Sequence, residues 1–217
     1  MRGCSLITGV VRPNAERVFE NLEGTIKTLD PYSFNHFALT YRTDASERLV
    51  ELVKKNNLPL SLYLIDPIVE TIGGFKGNNY RMFRSIELLM EEVPNFSDYD
   101  VVLRHRIDCE LQDIDIPECV ESNTYYAPRM SWGLIFDNFG VSDPTTFKKI
   151  FHTNQSFDFP DPHAALTHHL EANNIKDEPI DFKKTLYQSE DTHCMGISQW
   201  SRENRVFEYN SSWIRIK

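Results

Sequence analysis

Cysteine is scarce in this chain. Four occur in 217 residues, at positions 4, 109, 119 and 194, and no CxxC pair is present. That spacing argues against a zinc knuckle and offers no disulfide framework, so buried free thiols and a reducing, cytosolic-type compartment are expected. No apolar run approaches the ~20 residues needed to span a bilayer. Met1-Arg2-Gly3 leads straight into a strand-like run, so no secretory leader is expected. Positive charge is in deficit, with 23 Lys and Arg against 32 Asp and Glu and a formal net charge of −9. A general nucleic-acid binder would carry a basic footprint and is not expected. Any anionic ligand must be met by a local cluster of basic side chains. Also missing are a GxGxxG fingerprint, a Gly-rich phosphate loop followed by Lys, internal repeats and low-complexity tracts.

What is present is ordinary globular composition, 41% hydrophobic and 25% charged, in a length that suits one substantial core. The first half alternates two periodicities. Residues 4–11 form a short apolar run that reads as a buried strand. Val18, Phe19, Leu22, Ile26 and Leu29 stand at helical spacing within 14–29. A strand at 34–41, a helix at 46–56 and a strand at 60–66 follow, the last stopped by Pro67. A Gly/Asn-rich loop at 73–79 leads into an amphipathic helix marked by Met82, Phe83, Ile86, Leu89, Met90 and Val93. Asp100-Val101-Val102-Leu103 then opens a fourth strand. This order predicts an α/β fold, a single Rossmann-like domain with a mostly parallel central sheet and helices on both faces. The second half is less regular. It offers strands at 123–128, 133–137 and 205–209, and helices begun by Asp143-Pro144 and Asp161-Pro162, with Asp as N-cap and Pro in the first turn.

In such sheets ligands bind beyond the carboxyl ends of the strands. The fourth strand ends there in Asp108-Cys109-Glu110, with Arg104 and Arg106 just upstream. Hard divalent cations take one or two carboxylates plus substrate phosphates, and guanidinium groups suit phosphate oxygens. The motif therefore suggests a metal–diphosphate site, with Asp108 and Glu110 as ligands of Mn²⁺ or Mg²⁺; the competing reading is a solvated strand-end turn. Gly9-Val10-Val11-Arg12 closes the first strand, where Gly9 permits close approach of a ligand and Arg12 would reach it. Arg81, with Arg84 three residues on, stands near the start of the third helix, where anions are attracted. Asp137 follows Leu134-Ile135-Phe136 and is a candidate either to deprotonate an acceptor hydroxyl or to bind it without chemistry; a turn-forming Asp-Asn pair is the plain alternative. His163, His168 and His169 have spacings that do not place two ligands on one helix face, so a packed or solvated helix is expected. His193 lies in a late loop that can approach the site.

With those segments in hand, the chain resembles the GT-A class of nucleotide-sugar glycosyltransferases. More narrowly, it resembles the WavE-like surface-polysaccharide transferases and the glycosyltransferase domains of large algal viruses. LITGVVR, RMFRSIELL, VVLRHRIDCEL, GLIFDNFGVSDPTTFKKIF and DPHAALTHHLEANNI carry the likeness, in that order. The resemblance implies a GT-A-like domain with a nucleotide-binding half at 1–110 and an acceptor-binding half at 111–217, either a whole protein or one domain of a longer one. It implies transfer of a sugar from a nucleoside-diphosphate sugar, UDP first, to a hydroxyl of a glycan or glycoprotein acceptor, in the cytoplasm of a bacterium or a virus-infected cell. It puts Asp108 and Glu110 in the metal role, although Glu stands where the family's DxD motif has Asp. Gly9, Val10 and Arg12 would meet the nucleotide, with Arg81 and Arg106 on the phosphates. Asp137 or Asp191 would be the catalytic carboxylate, with Glu190 and Glu208 as further candidates. The alternatives are a nucleotidyltransferase and a non-catalytic nucleotide- or glycan-binding module.

Overall fold

The structure is a computed structural model. It describes residues 1–11, 14–68, 74–127, 134–135, 137–180, 182–188, 194–201 and 206–210; from 182 onward, and at positions 74–76 and 78, only the backbone is described. Strands β1 (Gly3–Thr8), β2 (Phe34–Tyr41), β3 (Leu60–Ile65) and β4 (Val101–Arg106) are joined through helices α1 (Ala15–Leu29), α2 (Asp44–Lys55) and α3 (Gly74–Glu92). After β4 come β5 (Cys109–Ile114), β6 (Thr124–Tyr126), β7 (Phe139–Ser142), α4 (Pro144–Ile150), α5 (Pro162–Ala172) and β8 (Lys176–Glu178). The last strands are β9 (Phe182–Gln188), β10 (Cys194–Ser201) and β11 (Val206–Asn210).

The main sheet has seven strands in the order β3-β2-β1-β4-β7-β6-β8. Four of its pairings are parallel and two, those made by β7, are antiparallel. The fold is thus mixed α/β with a mostly parallel central sheet. β1 is buried along its whole length, as a strand covered on both faces must be. Ile7 and Ala38 pack beneath Val18, Leu22, Leu49 and Val53 of α1 and α2. Leu6, Leu39 and Val102 face the other way, onto Phe83, Ile86 and Leu89 of α3, Phe147 of α4 and Leu166 of α5. Helices therefore cover both faces. Four of the five helices begin at a side-chain cap. Asn14 accepts from the Arg17 amide, Thr43 and Ser46 form a reciprocal capping box, and Asp143 and Asp161 accept first-turn amides of α4 and α5. No helix of the described residues is long and apolar enough to cross a membrane.

Three expectations change. First, β9, β10 and β11 join β5 in a second, four-stranded antiparallel sheet, order β11-β10-β9-β5. Of it only the last strand was foreseen, one residue early. Second, 74–79 is not a loop but the first turns of α3. Asn79 is fully buried, and its Nδ2 donates to the carbonyls of Phe159 (2.9 Å) and Phe157 (3.4 Å). That tertiary contact outweighs the weak helix propensity of Gly and Asn. Third, the strand expected at 133–137 lies at 139–142. Ile135 makes a single bridge, and its amide donates to Thr167 Oγ1 of α5 (2.8 Å), so a helix side chain takes the bond a neighbouring strand would have supplied.

Asn79→Ala should destabilise the fold by about 1–3 kcal/mol, since two acceptors of the 157–159 segment lose their donor inside the protein. Chemical denaturation of the two proteins measures it. A difference near zero would mean that α3 does not begin by docking on that segment.

Candidate functional site

A cavity of about 460 Å³ opens at the carboxyl ends of the parallel strands, a usual size for a small-molecule site. Thr8, Gly9 and Val10 form its wall after β1, and Tyr41 its edge after β2. Gly9 has φ +146°, a conformation that side chains beyond glycine rarely adopt, and a Cβ there would press on Ile107. From α3 come Arg81, Met82 and Ser85; the Ser85 and Tyr41 hydroxyls lie 3.3 Å apart. β4 sends in Arg104 and Arg106, two residues apart and so on one face of the strand. Asp108, Asp137 and Asn138 complete the polar lining, beside Pro162 at the start of α5.

Arg106 is the hub. Its Nε donates to Asp108 Oδ1 (2.8 Å), its Nη2 to Asp108 Oδ2, and its Nη1 to Asn138 Oδ1 (3.2 Å). Burial works against its charge, but the Asp108 carboxylate outweighs it and holds the guanidinium pKa above the ordinary value. Arg104 lies deeper, 1% exposed, its guanidinium 5.5 Å from the centre of the Phe151 ring. Its Nε and Nη1 make no hydrogen bond among the described residues. Burial lowers its pKa, with Asp137 opposing; an arginine nonetheless keeps its proton, so a cation is fixed under the cavity floor.

Asp137 is 5% exposed and pairs with His163 of α5, Nδ1 to Oδ1 at 2.8 Å. The same nitrogen lies 3.0 Å from the Asp137 amide. It cannot donate to the carboxylate and accept from the amide at once. Burial alone would lower the His163 pKa, but the Asp137 carboxylate outweighs it and raises it, which favours the imidazolium and the carboxylate contact. For Asp137, burial would raise the pKa; the hydrogen bond and charge of His163, with Arg104 and Arg106, bring it down to about 2. A carboxylate of that kind stays ionised at neutral pH and is a weak base. It is better suited to accept a hydrogen bond from a hydroxyl than to deprotonate one.

The expected site residues do not all converge. Gly9, Val10, Arg81, Arg106, Asp108 and Asp137 line the cavity. Glu110 does not. It belongs to β5, and its carboxylate occupies the space a Cβ on Gly24 of α1 would need. The cause is the path of β5. The Leu111 amide donates to Thr25 Oγ1 (2.9 Å), and the Leu111 carbonyl accepts from Thr28 Oγ1 (2.8 Å). These two threonines of α1 satisfy the strand edge that β9 leaves open and turn Glu110 to the helix. The Asp108 carboxylate thus faces the cavity, paired with Arg106, while the Glu110 carboxylate faces Gly24 of α1. Arg12, Glu190, Asp191 and His193 lie outside the described residues, and of Glu208 only the backbone is described.

Sequence reasoning missed the place of His163. Asp161-Pro162 marked the helix start correctly, and a histidine two residues into a helix whose N-terminus meets the strand ends was the available signal. His169 is a core side chain, between the rings of Phe83 (4.7 Å) and Phe157 (5.5 Å). A second hollow of about 460 Å³ lies at the opposite, amino ends of β2 and β3. Its one carboxylate is Asp30, and burial holds His36 neutral there, with a pKa lowered to about 4. It offers nothing to an anion.

The His163–Asp137 pair gives a signed pH dependence. His163 has its pKa raised by folding, so its contribution is complete below the unfolded value of ~6.5 and fades as pH rises through the higher folded value. Asp137, lowered to about 2, contributes above the ordinary carboxylate range and loses its share only as pH falls toward 2. His163→Gln should therefore cost at most about 1.5–3 kcal/mol at mildly acid pH, and the gap from the wild type should narrow toward pH ~9. Thermal denaturation of both proteins across that range measures it; a gap that stays constant would show that folding leaves the His163 pKa unshifted, and one that widens as pH rises would show a buried neutral imidazole. Comparison with known proteins adds no relative: no protein-family model matches the chain, and a search of curated proteins finds no match.

Proposed function

We propose that the chain is a glycosyltransferase of GT-A type, moving a sugar from a nucleoside-diphosphate sugar to a hydroxyl of a glycan. One observation carries the reading. In a protein of net charge −9, three arginines (Arg81, Arg104 and Arg106) converge on one cavity beyond the ends of β1 and β4, where the acidic motif ends its strand. Such a concentration of guanidinium groups calls for an anionic ligand, and the carboxyl end of a parallel sheet is where a nucleotide binds in α/β folds. The order of strands up to β4 and the place of Asp108 agree with the resemblance seen in the sequence.

In this reading the chemistry is largely electrostatic. As the glycosidic bond to the diphosphate breaks, negative charge grows on the departing oxygen, and fixed guanidinium groups lower the energy of that state. Arg106, held on three sides by Asp108 and Asn138, needs little reorganisation to do so. The Gly9 backbone lets the nucleotide approach the end of β1. Asp137, ionised and oriented by His163, accepts a hydrogen bond from a sugar hydroxyl and places it.

Incubation with a panel of nucleotide sugars and glycan acceptors, read by release of the nucleoside diphosphate, tests the proposal. Turnover is expected with at least one donor, falling by about 100-fold or more in Arg106→Ala. Pyrophosphate made from a nucleoside triphosphate and a sugar phosphate would mark a nucleotidyltransferase instead. Nucleotide binding with no turnover on any donor would mark a binding module.

A further inference from the structure

We infer that this site binds its nucleoside diphosphate without a divalent cation, the Arg106 guanidinium supplying the charge that a metal ion would bring. The inference rests on the nucleotide reading above and concerns how that ligand is held.

Both oxygens of Asp108 are engaged by Arg106 in the two-pronged geometry that makes guanidinium–carboxylate pairs strong, and the Asp108 side chain is only 8% exposed. A cation reaching that carboxylate would have to share it with a guanidinium whose other edge Asn138 holds, and would lie against a fixed positive charge. Glu110 cannot assist from its place against Gly24. Among the described residues of the lining, three guanidinium groups stand beside two carboxylates, a setting that suits a phosphate better than a further cation.

Arg106 is also placed to take the ligand. Its side chain is about a third exposed (33%). A guanidinium has five N–H groups, and the Asp108 and Asn138 bonds use three of them. Among the described residues the remaining two are open to phosphate oxygens while the pair with Asp108 stays intact. Asp108 is in this view a positioning residue that orients Arg106, not a metal ligand.

Isothermal titration of the full chain with UDP, GDP, ADP, CDP and dTDP, in EDTA and in millimolar MnCl₂, tests this. The expected result is binding of at least one diphosphate with affinities in the two buffers within about twofold. Arg106→Lys keeps a positive charge but cannot make the fork, and should weaken binding in EDTA by about tenfold or more. Glu110→Gln should bind as the wild type does. Binding that appears only with Mn²⁺, or that Glu110→Gln abolishes, overturns the inference and leaves the nucleotide reading standing. Absence of binding in both buffers overturns the two together. The wild-type comparison of buffers keeps the test valid even if a variant folds poorly.

Discussion

The two threonines of α1 that bind the backbone of Leu111 set the geometry of everything around the cavity. β4 belongs to the main sheet as far as Arg106. Two residues later the chain is in β5 of the other sheet, with one edge on β9 and the other on Thr25 and Thr28. An unpaired strand edge inside a protein is costly, so those hydroxyls fix the path of the chain as firmly as a neighbouring strand would. The turn between the sheets leaves Asp108 within reach of Arg106 and carries Glu110 to the far side, under α1.

Above that turn the cavity concentrates charge in a poorly solvated place. Arg104 is buried with two nitrogens unbonded among the described residues, Asp137 is buried and ionised, and Arg106 is held in a fork. None of this helps a fold whose core is otherwise apolar and well packed, since buried charge is at best neutral for stability. Local departures from good packing chemistry gather at functional sites. Here the charged ones gather at the carboxyl ends of β1 and β4, whereas the amino-end hollow holds the neutral His36. Burial opposes the charge on both Asp137 and His163, and each is held charged by the other, Asp137 with further help from Arg104 and Arg106.

Much of the first half was legible because its signals are local. β2 matches its expected bounds, β3 and α1 differ by a residue at one end, and both Asp-Pro helix starts are where their caps are. Hydrophobic period and capping are properties of a few neighbouring residues and need no partner to be read. Asn79 shows the opposite case. It looked like loop chemistry and became helix because carbonyls some eighty positions away accept its amide. The second sheet stayed hidden for a related reason. β9, β10 and β11 pair in chain order, but their junction with β5 spans about seventy positions and leaves little trace in any one segment.

The amino-acid sequence by itself determined the α/β order, the mostly parallel sheet, the covering of both faces by helices, and the placing of Arg106 and Asp108 at a strand end. Those follow from periodicity, from caps and from the rule that links strand ends to ligand sites. Only the tertiary structure decided which charges meet. Asp108 and Glu110 are one residue apart in the chain yet lie on opposite sides of a sheet junction, while Asp137 and His163, twenty-six positions apart, share a hydrogen bond. Electrostatic interaction depends on distance and burial in space, and neither can be read along a chain until the strands and helices have been packed.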